Sequence, residues 1–223
     1  MTKLLPFRIL TVTPVVLAAC ITPADDLYYG DCAQYEEGIV RGGDVGIGSC
    51  LAGPTHLVWT ADEDSDDEWL LVSNTNPFLD FKSGSLLAIE TTGIPADGQR
   101  HLLSELATGS VDLPSFAGGM AYSQTSSLAL VSSRYSDGAR DRSFEDELVF
   151  VNLESFDAPS LATIGADSSS SLEVESDPLS VVWYEETGLA YVLNSSSGSV
   201  SVVDMNTSPV EVFDGMSSAA VEG

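Results

Sequence analysis

Residues 188–204, GLAYVLNSSSGSVSVVD, hold two runs rich in Val, Leu and Tyr around a Ser- and Gly-rich turn. Apolar and β-branched runs bounded by Gly, Ser and Asn are the pattern of a strand, a tight turn and a second strand. The pattern recurs upstream in weaker form. WLLVSN (69–74) is followed by GSLLAIE (84–90), and LALVSS (128–133) by ELVFVN (147–152). The first strands of the three pairs begin near Leu71, Leu130 and Tyr191, a repeat of about 60 residues.

Each pair is preceded by an apolar run opening on proline: Pro54 (PTHLVW), Pro114 (PSFAGGMAY) and Pro178 (PLSVVWY). Proline is tolerated at a strand's first residue, where no ladder donor is lost. Each pair is followed by a further run: HLLSELA (101–107), LATI (161–164) and VEVF (210–213). One unit therefore reads as four short strands, and no apolar stripe of helical period appears outside the first residues. Runs such as WLLV are apolar throughout rather than alternating, so both faces of these sheets are expected to be covered.

Tandem four-stranded units predict an all-β chain, a β-propeller of about three antiparallel blades over residues 54–223, divided near 54–112, 113–176 and 177–215. Propellers close with four or more blades, so the chain reads as a partial one. A β-sandwich is the alternative, but it has no need of a constant period. Tyr191-Val192-Leu193-Asn194 resembles the signature of the YVTN family of bacterial β-propeller repeats, with Leu for Thr, and residues 199–204 resemble its following strand. The resemblance implies the propeller fold. Because such propellers are similar to lactonase-type ones, it also supplies the alternative of a propeller hydrolase, by analogy of fold alone.

The first residues carry an address. Lys3 and Arg8 precede the mostly apolar residues 9–17, and Leu17-Ala18-Ala19-Cys20 follows. Charged, apolar and small residues in that order form a secretory signal over 1–19. The run is shorter than the roughly 20 residues a spanning helix needs. LAAC resembles the lipobox of bacterial lipoproteins. That resemblance implies that Cys20 is acylated and becomes the anchor, and multiple acyl chains give lasting attachment. Ile21, where an Asp would retain the protein at the inner membrane, implies the outer membrane of the bacterial envelope. The alternative is an ordinary secretory signal with a chance cysteine.

Charge narrows the partners. The chain has 34 acidic residues against 8 Lys and Arg, a net charge of −26, and loss of 1–19 removes two of the cations and no acid. Such a surface repels nucleic acid and anionic lipid, leaving the lipid anchor as the only membrane attachment and a protein or glycan as the expected partner. In an oxidising compartment Cys32 and Cys50, in the Gly-rich segment 20–53, are expected to pair, with two free thiols as the alternative. The closed loop would contribute on the order of 3 kcal/mol.

Strand alternation puts the turns between second and third strands on one face, together with the connections between units. In the third unit that turn is short (195–197). In the first it spans 75–83 and holds Phe78, Phe81 and Lys82; in the second it spans 134–146 and holds Arg134, Arg140 and Arg142. Aromatic and Arg residues on long loops of one face mark a recognition surface. The alternative is drift in loop length, with the arginines paired to Asp137, Asp141 and Glu145. No catalytic residue, cofactor or metal is expected. Asp62, Asp64 and Asp66 begin like an EF-hand loop, but Asp67 and Ser73 stand where Gly and Glu are required. His56, on a strand that would line a central channel, has no second His or nucleophile motif to work with.

Overall fold

A computed structural model describes residues 51, 53–61, 67–76, 83–92, 94, 106, 108–134, 146–164 and 169–216. The described residues are all-β, with no helix, and form three antiparallel sheets. Cys20, Cys32, Cys50, Phe78, Phe81, Lys82, Arg140 and Arg142 lie outside them, as do the segments 1–19 and 62–66.

Each sheet is a meander in which every strand pairs with its predecessor, except that the last strand of the second sheet pairs with the strand two before it. The first contains β1 (Pro54–Ala61), β2 (Glu68–Asn74), β3 (Gly84–Glu90) and β4 (Thr108–Leu113). The second contains β5 (Met120–Ser123), β6 (Leu128–Ser133), β7 (Glu147–Asn152), β8 (Ser160–Leu161) and β9 (Ser171–Glu173). The third contains β10 (Pro178–Tyr184), β11 (Leu189–Asn194), β12 (Ser199–Asp204) and β13 (Glu211–Met216). The hairpin first read at 188–204 is β11–β12, with Asn194 opposite Ser199. Its turn ends in Gly198 at φ 64°, and the turn before it ends in Gly188 at φ 67°. A side chain at Gly188 would also strike Asn206, whose amide donates to Thr187 O (2.9 Å).

The outermost strands depart from the sequence reading. In the first sheet the strand beside β3 is Thr108–Leu113, not residues 101–107. Of that run only Leu106 is described, and it packs on Val72, Leu87 and Ile89. In the second sheet the outer strand is split. β8 pairs with the end of β7 and β9 with its start. The chain leaves after Ala162 N donates to Phe150 O (2.9 Å) and returns where Phe150 N donates to Ser170 O (2.9 Å). Residues near Ser171 thus rejoin the sheet rather than linking two units. Edge strands bury only half their residues, so TGSVDL and SLE carry too little apolar character to stand out.

The packing between sheets places the site. On β6 and β7, Ala129, Val131, Val149 and Val151 face the first sheet, where they meet Trp69, Leu71, Leu86 and Ala88. The intervening Leu130, Leu148 and Phe150 face the third sheet and meet Val181, Ala190, Val192 and Val203. Both faces of the second sheet are buried, which is why its strands read as unbroken apolar runs. Phe156, from the β7–β8 connection, stacks on Trp69 (5.1 Å between centroids) and closes the first interface. The first strands β1, β5 and β10 lie next to one another, and β10 packs on both β5 and β6.

Candidate functional site

The starts of β1, β5 and β10 converge on a cleft of about 300 Å³. β1 contributes Thr55 and His56, β10 contributes Pro178, Leu179 and Ser180, and the connection ahead of β5 contributes Phe116, Ala117, Gly118 and Gly119. Thr75 and Arg134, each just past the end of a second strand, complete the wall.

Hydrogen bonds between units hold the three elements together. Thr55 Oγ1 donates to Ala117 O (3.0 Å), and Phe116 N donates to Thr75 O (2.6 Å). Gly118 N donates to Ser132 O (2.7 Å) and Gly119 N to Leu179 O (2.9 Å). The two glycines allow this approach. A Cβ on Gly119 would lie 2.7 Å from Ser180 Cα, and one on Gly118 would lie 2.9 Å from Leu179 O. Asn76 Nδ2 reaches Ser115 Oγ (3.1 Å) and Ser133 Oγ donates to Ser115 O (3.2 Å), fixing the connection that carries Phe116.

Arg134 is the cation of the cleft. Its Nη1 donates to Asp177 Oδ1 (2.6 Å), and its guanidinium lies over the Phe116 ring, 5.6 Å from the centroid. Asp177 is set from several sides. Ser195 and Ser196 donate their hydroxyls to Oδ2, and Asp177 N donates to Asp146 Oδ1 (2.9 Å). The Ser195 hydroxyl above all, with Ser196 and Arg134 behind it, holds the Asp177 carboxyl below its ordinary value, against the opposing effect of burial.

Phe116 (φ 61°), Asp177 (φ 64°) and Asn76 (φ 50°) all adopt the left-handed conformation. For residues with a Cβ this costs on the order of 1 kcal/mol or more each, and for a bulky Phe it is a true outlier. Three such residues around one opening are backbone strain retained where chain segments from different units must meet.

Of the residues singled out in the sequence, Arg134 and His56 come together in this cleft. Arg134 pairs with Asp177 of the next unit, while Asp137, Asp141 and Glu145 lie outside the described residues. Phe116, Asp177 and the Gly118-Gly119 pair escaped the sequence reading. A signal existed: they lie in the connections between units, on the face assigned to the long turns. Among the described residues no group of three His, Cys, Asp or Glu is placed to hold a metal ion. A scan against protein-family models finds no match to this chain, and a search of curated proteins finds none either.

Proposed function

We propose that this chain is a lipid-anchored extracytoplasmic binding protein of the bacterial envelope, that its sheets are propeller blades, and that the Arg134 cleft receives a protein or glycan ligand. The observation that carries this reading is the cleft itself, where one cation, one aromatic ring and several hydroxyls from three units meet at a single opening. Three side-by-side meanders support the blade assignment, as does the YVLN resemblance at 191–194. The LAAC sequence ending at Cys20 supports the anchor.

The chemistry follows from the pairing. Asp177 engages one nitrogen of a planar fork that carries five N–H donors, and the others serve a ligand carboxylate, carbonyl or hydroxyl. Phe116 supports the guanidinium from below and keeps it from collapsing onto other groups. Thr55 and Ser180 add hydroxyls at the rim. On a surface this acidic, an arginine held by a neighbouring unit is a local exception that selects for acceptor-rich ligands.

The test is a pull-down and a glycan-array screen with protein lacking residues 1–20. A recovered ligand should bind Arg134→Ala about tenfold more weakly or worse, the value of one charged hydrogen bond. Undiminished binding by Arg134→Ala refutes the assignment of the cleft, and turnover of a lactone would replace binding with hydrolysis.

A further inference from the structure

The register makes the first strands of sheets one and three equivalent residue for residue. β1 pairs Leu57 with Val72 and Trp59 with Leu70, while β10 pairs Val181 with Val192 and Trp183 with Ala190. Both strands carry the same irregularity after their opening proline, between Pro54 and His56 and between Pro178 and Ser180. Trp59 therefore occupies the place of Trp183, and Val58 that of Val182.

Equivalent residues meet opposite surroundings. Trp183 packs into the core between sheets two and three, and Val181 is 5% exposed. Their counterparts Trp59 and Leu57 are 61% and 59% exposed. On the other face, Val58 packs into the core between sheets one and two, and Thr60 is 6% exposed. Their counterparts Val182 and Tyr184 are 63% and 48% exposed, beside an exposed Leu193. The two bare faces are thus the two halves of one further sheet-to-sheet interface, of the kind that occurs twice within the chain.

We infer that the outer face of β10–β11 receives β1 of a second copy of this chain, β1 of each copy packing head-to-tail on sheet three of the other. Within the chain the first strand of each sheet meets the first strand of the next, β5 against β1 and β10 against β5, and β10 also packs on β6. β1 is the strand left exposed. The rest of its face is already covered, since Val72, Leu87 and Ile89 are buried. Charge favours this patch. Val182, Tyr184, Tyr191 and Leu193 carry none, and neither do Leu57 and Trp59, in a chain of net charge −26. Glu186 accepts from the Tyr184 hydroxyl (2.6 Å) at the edge of the patch, so its apolar centre carries no charge while its rim holds a carboxylate. Heterologous contacts of this type form rings when the rotation closes.

Sedimentation of the purified chain as a function of concentration and salt tests the inference. The expected result is a dimer of the 23.5 kDa chain whose population rises with salt as the charge repulsion is screened. Trp59→Glu and Val182→Glu should each weaken association about 30-fold or more, as loss of a central apolar anchor does. Both sites are exposed, so circular dichroism should show each variant folded. Mixing the two variants should restore part of the association, because each mixed pair retains one native interface. A dimer that survives Trp59→Glu, assembly beyond two copies, or a folded monomer at high concentration and salt each overturns the proposal. A monomer that still binds ligand through Arg134 overturns the dimer alone and leaves the binding reading standing.

Discussion

Phe150 sits on the third strand of sheet two and Phe213 on the outermost strand of sheet three, and one is fully buried while the other is half exposed. The second sheet has neighbours on both faces; among the described residues the third has one on a single face. Both residues are phenylalanine, so burial here is decided by the place of the strand in its sheet and of the sheet in the stack rather than by composition. Each sheet contributes little alone, and its apolar residues count only where another sheet covers them. The sharpest way to break this comparison is to truncate both phenylalanines. Phe150→Ala should cost about 3–5 kcal/mol in urea unfolding, through lost burial and the cavity left behind. Phe213→Ala should cost less than about 1 kcal/mol in the monomer. Equal losses would show that the third sheet is covered as fully as the second.

The next effect probes how closely the two sheets approach. Gly119→Ala places a methyl 2.7 Å from Ser180 Cα, and the neighbour is backbone that cannot rotate away. Separation of β5 from β10 should cost about 1–3 kcal/mol, the range for overpacking. Gly188→Ala, at the β10–β11 turn, combines a positive φ with a clash against Asn206 and should cost about 1–2 kcal/mol, but without disturbing the cleft. Thermal unfolding ranks the two, and ligand binding separates them: only Gly119→Ala should weaken it. Equal binding loss from both would mean that the cleft depends on the fold at large rather than on the β5–β10 contact.

The same contrast governs what the sequence could reveal. β2, β3, β6 and β7 were readable because both their faces are buried, and such strands need apolar residues at every position. β11 and β12 were readable from their alternation and the Ser-Gly turn between them. β8 was read in part, at 161–164, but β4 and β9 were not, because an outer strand such as TGSVDL needs only Val111 and Leu113 on its apolar side. Arg134 was readable as a rare cation on a long turn. Asp177 and Phe116 were not, because their roles arise from a left-handed backbone and from contacts between units that lie far apart in the chain. No local pattern encodes that meeting.

Phe116 allows stability and recognition to be separated. Phe116→Gly removes the strain of φ 61°, which favours folding by about 1 kcal/mol, and removes the ring beneath Arg134, worth about 0.5–1 kcal/mol at an exposed site. The two changes nearly cancel in the unfolding transition, so the melting temperature should move little. Ligand affinity should still fall several-fold, because the guanidinium loses its support. A clear drop in melting temperature with affinity intact would assign Phe116 to packing alone.

The smallest effect is that of pH on the bridge between the second and third units. The folded protein lowers the Asp177 pKa, first through Ser195 and then through Ser196 and Arg134, so folding favours the carboxylate. A group depressed in this way contributes stability above its unfolded pKa of about 3.9 and loses it as pH falls through the lower folded value. The Arg134–Asp177 contribution should therefore be flat from neutral pH down to about 5 and fade only below about 4. Both side chains are partly exposed, so the contribution lies in the range of about 0–1 kcal/mol for surface pairs. Asp177→Asn should accordingly lower neutral stability by that small amount, flatten the acid limb of the stability curve, and differ from wild type least below about pH 4. A difference between wild type and Asp177→Asn that grows between pH 5 and 7 would mean that the Asp177 carboxyl does not govern the pH response of the junction.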